Sequence, residues 1–164
     1  MQFNKKLSDL ISVNDLDYSR KNLKYWTEKK LSVSAKLIFP KIVEYNSGYY
    51  LDNGYFKKNL KNHNLNYSDL TESEWENNEI YLLDNSHDYK ILLWKAAKIM
   101  KGMKVALQES FANKEFIIIG ILNNFDTEPS ISIRFYNYRP TELEMIDVNK
   151  LDSFQEPIMA IKVN

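Results

Sequence analysis

The chain has no cysteine, which excludes disulfides, thiolate metal sites and cysteine nucleophiles and makes a cytoplasmic location the simplest expectation. Glycine and proline are sparse, four of each. The glycines (Gly48, Gly54, Gly102, Gly120) are scattered, so the sequence carries neither a phosphate-cradling loop nor a dinucleotide fingerprint. Only two histidines occur, His63 and His87. His87 is followed by Asp88 with Asp84 nearby, but no second histidine stands at helical spacing, so no metal and no cofactor is expected. Asp88-Tyr89-Lys90 matches half of a nuclease-type metal motif, yet it lacks an upstream acidic strand and falls at a helix start, where the dipole favours acids. No serine sits in a nucleophile elbow. Long apolar runs are missing too: nothing approaches the roughly 18 residues that span a bilayer, and Lys5-Lys6 precede no signal-like stretch. These absences argue against an enzyme, and no catalytic residue is assigned.

What is present is a balanced but segregated charge. The 164 residues suit one domain, 1–164, large enough to bury about two-thirds of its unfolded surface without staples. Residues 1–61 hold 12 basic and 6 acidic groups, and residues 62–164 hold 10 and 16. Within the second part, residues 62–88 carry Asp69, Glu72, Glu74, Glu76, Glu79, Asp84 and Asp88 with no lysine or arginine. Such a polarised surface can steer a charged partner; the alternative is a solvated face whose acids touch only water. The N-terminal lysines suit contacts to a phosphate backbone, but the neutral total and the acidic second half oppose one. Nucleic acid is therefore the runner-up partner, and a membrane is not expected.

The strongest periodic signal runs from Ser86 to Phe111. At about 100° per residue, Leu92, Leu93, Ala96, Ile99, Met100, Met103, Ala106, Leu107 and Phe111 share one stripe, while Lys90, Lys98, Lys101, Lys104 and Gln108 lie opposite. Asn85 or Ser86 would cap this central helix. Trp94, on the lysine side, either packs under the N-terminal helices or anchors a partner, and packing is preferred. Upstream, short helical patterns cover residues 4–12 and a run from Asn14 or Asp15 to Tyr45, with Pro40 kinking or splitting it near Phe39 and Gly48 as its stop. Residues 49–56 read either as a hairpin turning at Asn53-Gly54 or as a loop into a helix at about 55–62; the helical surroundings favour the loop. Thr71-x-x-Glu74 reads as a capping box for a helix from Glu72 to about Asp84. Phe116–Leu122 then reads as a buried strand, Ile131–Tyr136 as an alternating one with Ile131, Ile133 and Phe135 inward, Leu143 and Met145 as a short third, and Pro157–Val163 as the last, after a helical turn or two over 147–154. The expectation is an α+β fold whose helical N-terminal two-thirds (1–112) packs on a C-terminal antiparallel sheet of three to four strands, a β-meander over 113–164.

Residues 115–163 resemble the tail of small immunity proteins from bacterial contact-dependent inhibition and related polymorphic toxin systems. The features that carry the resemblance are the apolar strand Phe116–Leu122, Arg134-Phe135 in an alternating strand, the Asp147…Leu151…Phe154 segment, and the closing Glu156-Pro157-Ile158-Met159-Ala160-Ile161 strand. It implies a cytoplasmic protein that binds one cognate toxin domain, often a nuclease, and blocks it without catalysis. Nuclease domains bind a polyanion and tend to be basic, so an acidic inhibitor surface would speed and orient the encounter. Two patches are candidates: Asp69, Glu72, Glu76 and Glu79 with Trp75 as aromatic anchor, and Asp126, Glu128, Glu142, Glu144 and Asp147 near one end of the sheet.

Overall fold

The computed structural model of the protein describes residues 1–11, 33–52, 67–83, 89–124 and 127–164. In chain order the described elements are β1 (Gln2–Phe3), α1 (Lys5–Leu10), α2 (Ala35–Ile38), β2 (Ile42–Tyr45), β3 (Gly48–Leu51), α3 (Leu70–Asn77), β4 (Glu79–Leu83), α4 (Tyr89–Ser110), β5 (Phe116–Asn123), β6 (Ser130–Asn137), a single 3-10 turn (Leu151–Ser153) and β7 (Ile158–Val163). The main sheet is antiparallel, in the order β1-β7-β5-β6-β4, and β2 with β3 forms a separate hairpin.

The expected central helix is α4. Leu92, Leu93, Ala96, Ile99, Met100, Met103 and Leu107 are completely buried, as the stripe demands, and they pack on Ile118, Ile133, Phe135 and Ile161 of the sheet. The caps proposed at Asn85 and Ser86 lie outside the described residues. Gly102 lets α2 approach closely, because a Cβ there would run into the Ile38 carbonyl. The other sheet face (Ile117, Ile119, Tyr136, Ile158, Ala160) is covered by residues 145–154, through Ile146 and Leu151. β5 is thus buried on both faces, which is why it reads as an unbroken apolar run.

The helical N-terminal two-thirds does not form. Five strands make the main sheet, one of them N-terminal and one from the segment read as a helix over 72–84, and α4 is the one long helix among the described residues. Helix α3 stops at Asn77, because the Asn78 backbone leaves the helix and its side chain bonds elsewhere. The following Glu-Ile-Tyr-Leu-Leu then alternates, with Ile80 and Leu82 against the core and Glu79, Tyr81 and Leu83 outward. Pro40 does split the run before it, ending α2 at Ile38, but Ile42–Tyr45 continues as strand. The hairpin turns at Asn46-Ser47, both with positive φ (47° and 66°), the two-residue geometry that matches strand twist. Asn53-Gly54 and the helix proposed at 55–62 lie outside the described residues, as does most of the run from Asn14.

Two further corrections concern the C-terminal part. Leu143 and Met145 belong to an irregular segment, not a third strand, and β7 returns beside β5 instead of β6, so β5 is central and the order is not that of a meander. Asn4 makes that closure specific. Its buried Oδ1 accepts from Leu7 N and Ile158 N (3.0 Å each), capping α1 and tying it to β7, while Nδ2 donates to the Glu156 carbonyl at 2.7 Å.

Candidate functional site

Helix α3 carries acids with two different environments. On its inner side Glu74 is completely buried. Its Oε1 accepts from Tyr49 N (2.8 Å) and Arg139 Nη2 (2.6 Å), and its Oε2 accepts from Asn137 N (2.6 Å) and Arg139 Nη1 (3.1 Å). Arg139 also donates to the carbonyls of Asn137 (3.2 Å) and Ser47 (3.1 Å). Alongside, the buried Asn78 accepts from Leu51 N (2.9 Å) and donates to the carbonyls of Tyr49 (2.7 Å) and Phe135 (3.2 Å). These two side chains replace a sheet ladder. They join the β2–β3 hairpin to the end of β6 and to α3. Burial pushes the Glu74 carboxyl above its ordinary range, and the Arg139 guanidinium and the backbone amides pull back against it. Every strong acceptor position of Glu74 is occupied from within the fold, so this hub braces the structure and offers nothing to a ligand.

The capping box read at Thr71–Glu74 is therefore displaced. Asp69 caps α3 through Oδ1 to Glu72 N (2.8 Å), and Glu72 reaches back to Ser68 N (2.6 Å) and Oγ (2.8 Å). Those Ser68 bonds hold the Glu72 carboxyl below its usual range.

At the amino-terminal end of α3 the structure joins parts of the two predicted patches, through the buried Thr71 and through Glu142, whose Oε1 also lies 3.5 Å from Arg139 Nε. Glu142 Oε2 accepts from both Thr71 N and Thr71 Oγ1 at 2.8 Å, and Leu143 N donates to Asp69 Oδ2 at 3.2 Å. These contacts join the two acidic segments at the start of α3; from that junction Glu76 and Glu79 run on along one segment and Glu144 and Asp147 along the other, a ridge of two arms. Leu143 protrudes from it at 65% exposure. Most of the acids are already engaged. Arg134 reaches Glu79 (3.1 Å) and Glu76 (3.6 Å), and Asp147 accepts from Asn149 N (2.9 Å) and pairs with Lys150 (3.2 Å). The Asn149 amide keeps the Asp147 carboxyl low, whereas partial burial and then Asp147 itself push Glu144 up. Glu76, exposed over half its side chain, and Glu144 are the ridge acids most open to a partner.

Trp75 is half-buried. Arg134 lies 5.2 Å over its ring and Tyr136 meets it edge-on at 6.1 Å, so much of the indole serves packing. Glu128 is exposed beyond the β5–β6 turn, and Asp126 lies outside the described residues. Sequence reasoning missed Arg139, Asn78 and Leu143. The scarcity of arginine was the available signal: the two described arginines, Arg134 and Arg139, both make multiple fixed contacts of the kind lysine cannot.

Across the sheet, the outer side of α4 is basic. Lys98 and Lys101 are exposed, and the Lys98 ammonium lies 5.1 Å from the half-buried Trp94 ring. Among the described residues no helix is long and apolar enough to cross a membrane, and no group of three or more potential ligand side chains could hold a metal ion. The chain matches no protein-family model, and no curated protein or solved structure is significantly similar to it.

Proposed function

We propose that this chain is an immunity protein that binds a cognate toxin domain and neutralises it by occlusion, without catalysis. The observation that carries the reading is the junction of the two acidic segments at Asp69 and Glu142, with the exposed Leu143 side chain standing out of it. An exposed apolar anchor rimmed by carboxylates suits a basic partner surface: the leucine supplies buried area, and the acids supply encounter rate and orientation. Because Asp69, Glu72, Glu142 and Asp147 are held by the fold, the ridge is presented rigidly and loses little freedom on binding.

The test is co-expression with candidate toxin domains taken from genes adjacent to the one encoding this chain. The expected result is survival of the cells and a tight 1:1 complex. Leu143→Asp and Glu76→Lys should each weaken that complex without changing the melting temperature. Turnover of a polynucleotide by the purified chain alone, or full protection by the double variant, would overturn the proposal.

A second reading, nucleic-acid binding, rests on Lys98, Lys101 and Trp94 on the outer side of α4. It requires retention on DNA that falls steeply with salt.

A further inference from the structure

The geometry points to Asp69 as the residue that positions Leu143 for its partner, a second task beyond capping α3. This role rests on Leu143 being the anchor of the surface proposed above. The two oxygens of Asp69 divide the work: Oδ1 accepts from Glu72 N at 2.8 Å and caps the helix, while Oδ2 accepts from Leu143 N at 3.2 Å. A cap needs only the first bond, which serine or asparagine would supply equally well. The second acceptor is what an aspartate adds.

Residues 139–146 form a strap tied down at both ends. Glu142 N donates to the Arg139 carbonyl at 3.1 Å, closing a turn, and the buried Ile146 bonds the Tyr136 hydroxyl through its carbonyl (3.2 Å) and its amide (3.4 Å). Between those ends, Glu142 accepts from Thr71 N, as Asp69 does from Glu72 N. These are first-turn amides with no partner inside the helix, so the strap is fastened where α3 most needs acceptors and where its dipole favours carboxylates. Further along, Met145 and Ile146 pack on the outer face of the sheet, but Leu143 belongs to neither core cluster and stays 65% exposed. No core contact fixes where Leu143 points; the bond from its amide to Asp69 does. An apolar side chain on a backbone fixed in this way loses little freedom when it docks, which turns placement into affinity.

The experiment compares Asp69→Asn, Leu143→Ala and the double variant, by amide exchange on the free chain and by titration with the toxin domain that co-expression recovers. Asp69→Asn keeps the capping oxygen but presents to Leu143 N an amide nitrogen that cannot accept. The expected result on the free chain is an Leu143 amide that exchanges about tenfold faster while the Glu72 amide is unchanged. Affinity for the toxin domain should fall about fivefold on Asp69→Asn, and no further when Leu143→Ala is already present, since the placement of a missing anchor no longer matters. Unaltered exchange at Leu143 overturns the proposal whether or not a toxin domain is recovered. So do equal losses of affinity with and without Leu143, which would make the charge of Asp69 the whole effect. A loss confined to Leu143→Ala overturns the role of Asp69 alone, whereas a complex indifferent to Leu143→Ala overturns the anchor and this role with it.

Discussion

Glu74 and Glu76 stand two residues apart on α3, yet one is a structural brace and the other is surface. The difference is one of direction around the helix: Glu74 points under the β2–β3 hairpin into Arg139 and two backbone amides, while Glu76 points over the sheet's outer face toward water and Arg134. Inside, the alternative to these bonds is a stranded charge, so each partner is indispensable. Outside, water substitutes for any partner, and the same carboxylate matters only to whatever docks there.

The sharpest way to break this comparison is Glu74→Ala. It takes from Arg139 its buried carboxylate, leaving only Glu142 at 3.5 Å as a charged partner, and strands the amides of Tyr49 and Asn137, so chemical denaturation should register a loss of about 3–5 kcal/mol; a loss below about 1 kcal/mol would mean that the hub is no brace. Asn78→Ala removes one acceptor and two donated bonds from buried backbone groups and should cost about 1–3 kcal/mol, with the hairpin amides exchanging faster.

Acid titration of stability should separate the two carboxylates by sign. Glu74 is raised above its ordinary 4.5, so its contribution is present below that pH and is lost as pH rises through the higher folded value. Glu72 is depressed below 4.5, so its contribution is present above 4.5 and is lost as pH falls through the lower folded value. Glu74→Gln should therefore remove a decline above pH 4.5, and Glu72→Gln a decline below it, each read from denaturant midpoints. Matching pH profiles for the two variants would contradict the assignment. The smallest effect belongs to the ridge: Glu76→Gln and Glu79→Gln should each change stability by about 0–1 kcal/mol, since their pairs with Arg134 are solvent-exposed.

The parts of the fold that were legible in the sequence are those where a single element decides its own burial. The α4 stripe and the β5 run are long, so their periods are unambiguous, and each needs only an apolar surface opposite. Residues 72–84 read as one helix because good helix formers precede a strand with no proline or glycine between them; the break is made by Asn78, whose side chain finds partners only once β3 and β6 are in place. Residues 42–51 failed for a related reason. Asn46-Ser47 is a weaker turn signal than Asn53-Gly54, and the hairpin is fixed by Glu74 and Asn78, far away in the chain.

The candidate site divides in the same way. Composition identified the acids and their clustering, since charge is a property of the residues themselves. It could not tell a cap from a brace or a surface group, because that depends on which face of α3 meets Arg139 and where Glu142 and Leu143 meet its first turn. By itself, then, the sequence determined a long amphipathic helix on an apolar sheet and a segregated charge. Only the tertiary structure decided which acids are consumed internally and that two distant acidic segments meet at the start of α3. Those outcomes hang on long-range hydrogen bonds, and a bond between Glu74 and Arg139 leaves no period in the chain for pattern reading to find.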